Sequence, residues 1–593
     1  MRSGLREAVG VAAMALSLGL WGLGWCLPGR ARLEEVLPAG LDSPSSRALL
    51  ESSWRALYAK LGENMLLHPD VFSYGFEDGD SAAPGWTAPP PLLRNSIRSF
   101  YLRSGHEDES DILVALSRLR PLRLDLNPRI YFYGGAYMYA LGGWMAASAV
   151  LSGTPLARDI QVYLAHPEYT ARLYFAGRLF SVLAFVAACL LVLVLGRRYW
   201  DAAAGAWGAV FFALSPGIVI QAHYMKPHLL GQAFVMGIFY FCAELAERAR
   251  SPAGAADARG ERRLWMGAGS MLGLAAGSAA YMWSSGIFIV LCAALRARLG
   301  APWRAEVKKA AFACACAVAV FLLVNPFLVY DAGPSWRSLL AVSRFSARDP
   351  AFIWTFLSRG LPKGMTLPLA LWVAAGCAAA VNRERPSRLL ALLGFLCHLS
   401  FAWTFQSASF LDSIRQFPAA FLGCLLAGGA ASRWTRGERP GRMRACALGA
   451  ALLAAAYAWL ASAALDYNFS LDSAGLSTRR LAGEWIEANV PRGAEIGLTR
   501  LPQPSNVPYF HWSLYRLRFF KTRTLAGLDP AALPERLVLA SPSYSDHPAL
   551  DPLLDARYVL EKSFPPRSLG WISPPLGESY ANPLVEIYRK RSP

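Results

Sequence analysis

The chain has 593 residues, of which 54% are hydrophobic and only 17% charged, with a mean hydropathy of +0.29. Soluble domains are nearer a quarter charged, and disordered chains do not carry 30 Phe, 23 Tyr and 19 Trp, so neither class fits. The net charge of +18 does not signal nucleic acid, because its arginines cluster between apolar runs and no zinc-finger spacing, RNP-like motif or basic helix accompanies them.

The apolar residues gather into runs of about twenty, the length that crosses a ~30 Å hydrocarbon core. The first run, 8–27, follows Arg2 and Arg6, is too long for a signal-peptide core and lacks a small-residue cleavage site. It is expected to be a retained helix entering from the cytoplasm. A polar stretch of about a hundred residues follows on the outside. Within it, 46–67 has helical periodicity, while 77–91 is rich in Gly, Pro and acid and is expected to be loop.

Segment 131–151 is apolar and aromatic but carries Gly134, Gly135, Gly142 and Gly143. If it spanned, Arg197 and Arg198 after the next helix would lie outside, and every later basic loop would be inverted. If it lies along the outer interface, loops 197–198, 248–263, 296–309, 383–388 and 433–444 all fall inside. The second arrangement is therefore expected. The spans are then 8–27, 172–195, 202–222, 229–247, 264–281, 283–299, 310–329, 366–382, 388–405, 415–431 and 444–464, about eleven in all. Gly269, Gly273 and Gly277 repeat every fourth residue, which suits close helix packing. All ten cysteines lie in or beside apolar runs, so neither a disulfide framework nor a thiolate zinc site is expected.

From 466 the chain is polar again. The stretch 478–489 has an amphipathic helical pattern, and 537–540 and 584–588 look like short strands, so a small outside α/β domain is expected. Asn468-Phe-Ser is a glycosylation sequon, read as incidental because it abuts a membrane helix. The expected organisation is a first membrane helix (1–27), an outer loop with interfacial helices and an acidic motif (28–171), a membrane core (172–465) and a C-terminal extracytoplasmic domain (466–593).

This topology brings scattered polar residues to one depth, the outer interface. They are the acidic cluster Glu107, Asp108, Glu109 and Asp111, the run His223-Tyr-Met-Lys-Pro-His228, Asn325-Pro-Phe with Asp331, and Arg415. Each alone reads as a solvated loop residue. Carboxylates, two histidines, Lys226 and Arg415 at the headgroup level suit chemistry on a lipid-linked phosphate.

The stretch from His106-Glu-Asp-Glu-Ser-Asp-Ile-Leu-Val-Ala-Leu-Ser-Arg-Leu through Asp125-Leu-Asn-Pro-Arg-Ile-Tyr-Phe-Tyr-Gly-Gly-Ala-Tyr-Met-Tyr resembles the first outer loop of GT-C glycosyltransferases. The type it is most similar to is family 39-like, the dolichyl-phosphate-mannose protein mannosyltransferase-related membrane proteins of bacteria. Three further stretches match: Arg172 to Arg198 with its terminal basic pair, Leu323-Val-Asn-Pro-Phe-Leu-Val-Tyr-Asp, and Thr478-Arg-Arg-Leu-Ala-Gly-Glu-Trp-Ile-Glu-Ala-Asn-Val-Pro. The ordered set covers most of the chain from about residue 100.

The resemblance implies a GT-C-like polytopic α-helical protein of the bacterial inner membrane. Its reaction would move a sugar from a polyprenyl-phosphate donor, with inversion, to a lipid, glycan or protein acceptor on the extracytoplasmic face. Its other expected partners are membrane lipids, with no nucleic acid. Asp108 would be the general base and Glu109 would position the acceptor or tune Asp108. Arg415, Lys226, His223 and His228 would hold the donor phosphate, and Asn325, Asp331 and Tyr133 would support the site.

The chain departs from the pattern where His228 stands near a position that relatives often give to an acid, which weakens a second catalytic acid and any divalent-metal site; no cofactor is assigned, with a divalent metal as the open alternative. Lysines that some relatives place near the fifth and sixth spans are replaced by Tyr281-Met-Trp, and 28–95 matches no known segment. Asp78-Gly-Asp80 has the spacing of nucleotide-sugar metal motifs, but it sits in an outer loop without a nucleotide-binding domain and is set aside. The competing class is a transporter or flippase, which would place ionisable residues near the midplane and show internal repeats; the chain shows neither.

Overall fold

The computed structural model of the protein describes residues 2–38, 41–61, 76–129, 131, 133–250, 257–343, 364–380, 385–405, 417–436, 440–521, 525, 532–541, 550–566 and 581–591. The chain forms two compact units: one from Met1–Leu20, Arg118–Gly143 and Arg178–Leu465, the other from Trp21–Ser117, Trp144–Gly177 and Asp466–Pro593. This departs from the linear division expected from sequence, because both polar regions, 28–117 and 466–593, contribute to the second unit.

The first unit is helical. Among the described residues, five helices are long and apolar enough to cross a membrane, and a sixth is added if Ala202–Ala213 and Pro216–Ala222, bent by 63°, count as one span. The chain is a multi-pass membrane protein. The bend falls at Leu214-Ser215-Pro216, where proline lacks the N–H that would continue the ladder; the Phe212 carbonyl accepts the Ser215 N–H, and the Ser215 hydroxyl donates to the Phe211 carbonyl. Helix Ala258–Ser278 packs against Trp303–Val324 along its glycine stripe. A Cβ on Gly269 would lie 2.1 Å from the Ala313 carbonyl oxygen, and one on Gly273 2.5 Å from that of Ala317, so only glycine admits this approach.

The basic loops share one end of this unit. Glu7 pairs with Arg197 at 3.4 Å, Arg198 with Glu244, and Ser387 donates to Glu247. Arg388 reaches the Tyr199 carbonyl and Ser432 the Asp201 carboxylate. Arg296, buried, binds Glu306 (2.7 Å), Glu261 and the Leu245 carbonyl, while Lys309 closes the cluster on both acids. Helix Arg2–Leu20 leaves from this end antiparallel to the later part of Pro167–Tyr199, since Glu7 meets Arg197 and Gly19 lies on Val182.

The first helix stops at Leu20, short of the expected 27. Gly22 takes φ +76 and the Trp25 N–H closes a turn onto its carbonyl. A Cβ there would lie 2.7 Å from Phe469, which explains why the turn uses glycine.

The second unit holds a six-stranded sheet: β1 Ser81–Ala82, β2 Glu495–Leu498, β3 Arg516–Phe519, β4 Arg536–Ser541, β5 Tyr558–Phe564 and β6 Leu584–Lys590. Its order is β1-β3-β2-β4-β6-β5, with β2 parallel to β3 and β4 and the other pairs antiparallel. Helix Thr478–Asn489 begins at a Ser477 cap and buries Ala482 and Ile486, as its amphipathic pattern requires. Strand β1 comes from the first polar region, so that region completes the sheet edge and does not stand as a separate loop domain. The Asp78-Gly-Asp80 turn makes this docking. Asp78 accepts the Lys521 N–H, Asp80 accepts that of Glu77, and Gly79, at φ +89, donates to the Phe519 carbonyl.

Candidate active site

The acidic motif lies in the second unit, on the first turn of helix Glu107–Arg118, where negative charge meets the positive end of the helix dipole. The cap is His106. Its Nδ1 accepts the Asp108 backbone N–H at 3.2 Å, which requires the tautomer protonated at Nε2. The carboxylates then divide. Glu109 is fully buried and accepts the Ser104 hydroxyl, whereas Glu107, Asp108 and Asp111 are half-buried. Ser505 donates weakly to Glu107 at 3.5 Å.

The loop before this helix is held by a buried polar node. Arg32 donates to the carbonyls of Phe100, Arg103 (2.7 Å) and Cys26 (3.2 Å) while stacking over the Phe100 ring. The Gly105 N–H reaches the Cys26 carbonyl, and a Cβ on Gly105 would lie 2.5 Å from Trp25, so the strand can pass there only as glycine. Asp472 accepts the Cys26 N–H and a 2.8 Å ion pair from Arg479, which also donates to the Ala581 carbonyl. Tyr509 completes the node, donating to the Pro504 carbonyl at 2.8 Å beneath the Arg479 guanidinium. Burial pushes the Tyr509 phenol well above its ordinary pKa, so it stays neutral. Nearby, burial raises the Glu35 carboxyl against the opposing pull of Arg480, its 2.9 Å partner.

The first unit gathers a different set at the end opposite its basic loops. The turn 223–227 joins helices Pro216–Ala222 and His228–Arg248 and is buried throughout. His223 bonds the Val219 carbonyl through Nδ1 at 2.9 Å, and Lys226 lies 5.7 Å from the Tyr224 ring centroid. His228 bonds the Tyr281 hydroxyl through Nδ1 at 3.1 Å and meets the Tyr133 ring edge-on. Tyr133 pairs with Ala279 as an isolated bridge. Asn325 accepts the Gly135 N–H at 2.8 Å and donates to Phe321, tying this aromatic segment to the end of Trp303–Val324. Gly134 and Gly135 are required here, since a Cβ on them would lie 2.1 Å and 1.9 Å from the Gly277 and Val324 carbonyl oxygens. Asp331 accepts the Asn127 amide at 2.8 Å, beside the Asp125–Arg129 pair.

Tyr133 and His228 thus meet, with Asn325 bonded to Gly135 two residues on from Tyr133, His223 and Lys226 on the adjoining turn, and Asp331 on its own network with Asn127. Asp108 and Glu109 belong to the other unit, and Arg415 lies outside the described residues. Sequence reasoning passed over His106 as a cap, Ser104 and Tyr281. Among these, only the S-x-H-E-D-E spacing before an apolar run carries a capping signal. No group of three or more His, Cys, Asp or Glu placed to hold a metal occurs among the described residues. Asn468 of the sequon is buried and bonded to Asn582.

No family model and no curated protein matches the chain. Solved structures similar to it include ArnT from Cupriavidus metallidurans in the apo state, 15% identical over 82% of this chain and 92% of that one, with a TM-score of 0.42. The same protein bound to undecaprenyl phosphate is 15% identical over 77% and 88%, at 0.41. The oligosaccharyltransferase of Archaeoglobus fulgidus in the apo form is 13% identical over 65% and 58%, at 0.39. Similarity at this level decides nothing about the chemistry of this chain.

Proposed function

We propose that the protein is a membrane glycosyltransferase that moves a sugar from a polyprenyl-phosphate donor to a lipid, glycan or protein acceptor on the extracytoplasmic face. The observation that carries the reading is the division of the acidic pair: Asp108 is half-buried on a capped helix tip, while Glu109 is buried against Ser104. Inverting displacement needs one carboxylate within reach of the acceptor hydroxyl and ionised at neutral pH. Asp108 is the member of the pair with an accessible side chain, which supports it as the base and assigns Glu109 to holding the loop.

Lys226, His223 and His228 supply donors suited to a phosphate leaving group, with Arg415 as the fourth; Tyr133 packs on His228, Asn325 holds the Gly135 N–H and Asp331 holds Asn127. About eleven spans place this chemistry outside and the basic loops inside. The antiparallel start of the chain supports that arrangement. Helix Arg2–Leu20 and the later part of Pro167–Tyr199 lie side by side and antiparallel, Glu7 on Arg197 and Gly19 on Val182, so the intervening segment begins and ends at one end of the first unit. A single crossing by 131–151 does not fit that parity.

One observation favours a second reading. The 63° break at Leu214–Ser215 is the kind of discontinuous helix that transporters use for substrate sites. The two readings separate in one assay. Purified protein is offered a panel of polyprenyl-phosphate sugars with and without acceptor lipids, and released polyprenyl phosphate is measured. Donor turnover supports the transferase. Passage of the labelled lipid across a vesicle membrane without turnover supports the transporter and overturns the proposal.

A further inference from the structure

The first unit also carries a cleft that the proposed reaction does not use. It lies between helix Leu367–Ala380 and the first turns of Gly441–Ser473 and holds about 530 Å³, within the range of small-molecule sites. Its walls are apolar: Leu371 and Trp372 on one helix face Cys446 and Ala450 on the other. The cleft exists because the second helix presents small side chains opposite a tryptophan. Trp434 and Arg442 line it at the end where helix Phe417–Arg436 finishes and Gly441–Ser473 begins.

Several cations at this end of the unit are matched by protein acids, as Arg198 is by Glu244 and Arg296 and Lys309 are by Glu261 and Glu306. Arg433, Arg436, Arg442 and Arg444 are exposed and have no ion pair among the described residues; Arg442 lines the cleft, and the four stand on the last turn of Phe417–Arg436 and the first turn of Gly441–Ser473. The Arg442 guanidinium and the Trp434 indole at one end of an apolar cleft, with further arginines on the same two helix ends, match an amphiphile with an anionic head. Arginine binds phosphate through its planar fork, and tryptophan favours the boundary between headgroups and hydrocarbon.

We propose that this cleft holds an acyl chain of an anionic glycerophospholipid, with the phosphate against Arg442 and the chain between Leu371, Trp372 and Ala450. The site is independent of the glycosyl-transfer reading, since it shares no residue with the proposed donor or base.

Cys446 provides the assay, because it is exposed and lines the cleft, while Cys314 is exposed on a different helix. The full chain is purified and reconstituted with phosphatidylglycerol, phosphatidylcholine or undecaprenyl phosphate, and alkylation of each cysteine is followed by peptide mass spectrometry. Phosphatidylglycerol is expected to slow alkylation of Cys446 and leave Cys314 unchanged, and phosphatidylcholine to protect neither. Retention of phosphatidylglycerol in native mass spectrometry should fall about tenfold in Arg442→Glu, the scale of one charge-assisted contact, and also in Ala450→Trp, which fills the cleft. Equal protection by the two lipids, unchanged retention in both variants, or preferential protection by undecaprenyl phosphate would overturn the assignment. The wild-type alkylation needs no variant, so a variant that fails to fold leaves the comparison of lipids intact.

Discussion

Ser104 donates its hydroxyl to Glu109 across the turn that opens helix Glu107–Arg118, and this bond separates two adjacent carboxylates into a buried one and an accessible one. Removing the donor takes a hydrogen bond from a buried carboxyl group. Ser104→Ala is therefore expected to destabilise the second unit by about 1–3 kcal/mol, measured by thermal melting in a fixed detergent. A melting temperature equal to wild type would show that Glu109 finds its stabilisation elsewhere.

The Asp472–Arg479 pair is almost fully enclosed, and each partner also bonds backbone groups from distant segments. Breaking such a pair strands the surviving charge. Arg479→Met alone should cost about 3–5 kcal/mol, and combining it with Asp472→Asn should cost less than the sum of the two single changes. Additive losses in a melting experiment would mean that the two side chains do not act as a pair.

The arrangement of the first unit makes a topological prediction with two exposed positions. Leu122 stands fully exposed on the turn between Arg120 and Asp125, which joins the Tyr330 end through the bond from Leu126 to Tyr330. Arg259 lies exposed at the basic end. In a cysteine-free background, an impermeant maleimide should label Leu122→Cys in intact cells and Arg259→Cys only after permeabilisation. Labelling at 259 from outside would reverse the orientation.

Several elements were legible in the sequence because their signal is local. Helix Thr478–Asn489 follows from its 3.6-residue periodicity, and the cores of β4 and β6 from their short apolar runs. The glycine stripe of Ala258–Ser278 is likewise a packing face, as its spacing implies. Strand β1 was not legible, because two residues become a strand only when Arg516–Phe519, far along the chain, pairs with them. The joining of the two polar regions was hidden for the same reason. At the site, the identities of Asp108 and Glu109 carry no sign of which is buried. That depends on Ser104 and on Arg32 and Cys26, which fix the preceding loop through backbone carbonyls that no residue pattern advertises. Tyr281 took its place beside His228 through helix packing, where the sequence showed only a departure from a resemblance.

The base assignment is tested most directly by initial transfer rates measured beside donor affinity, in one lipid, for Asp108→Asn and Glu109→Gln. Asp108→Asn keeps size and hydrogen bonding but removes proton acceptance, so transfer should fall by roughly 10²–10⁴-fold with donor affinity unchanged. Glu109→Gln can still accept the Ser104 hydroxyl and should lose less. Near-normal turnover in Asp108→Asn, or a larger loss in Glu109→Gln, would contradict the assignment of Asp108 as the base.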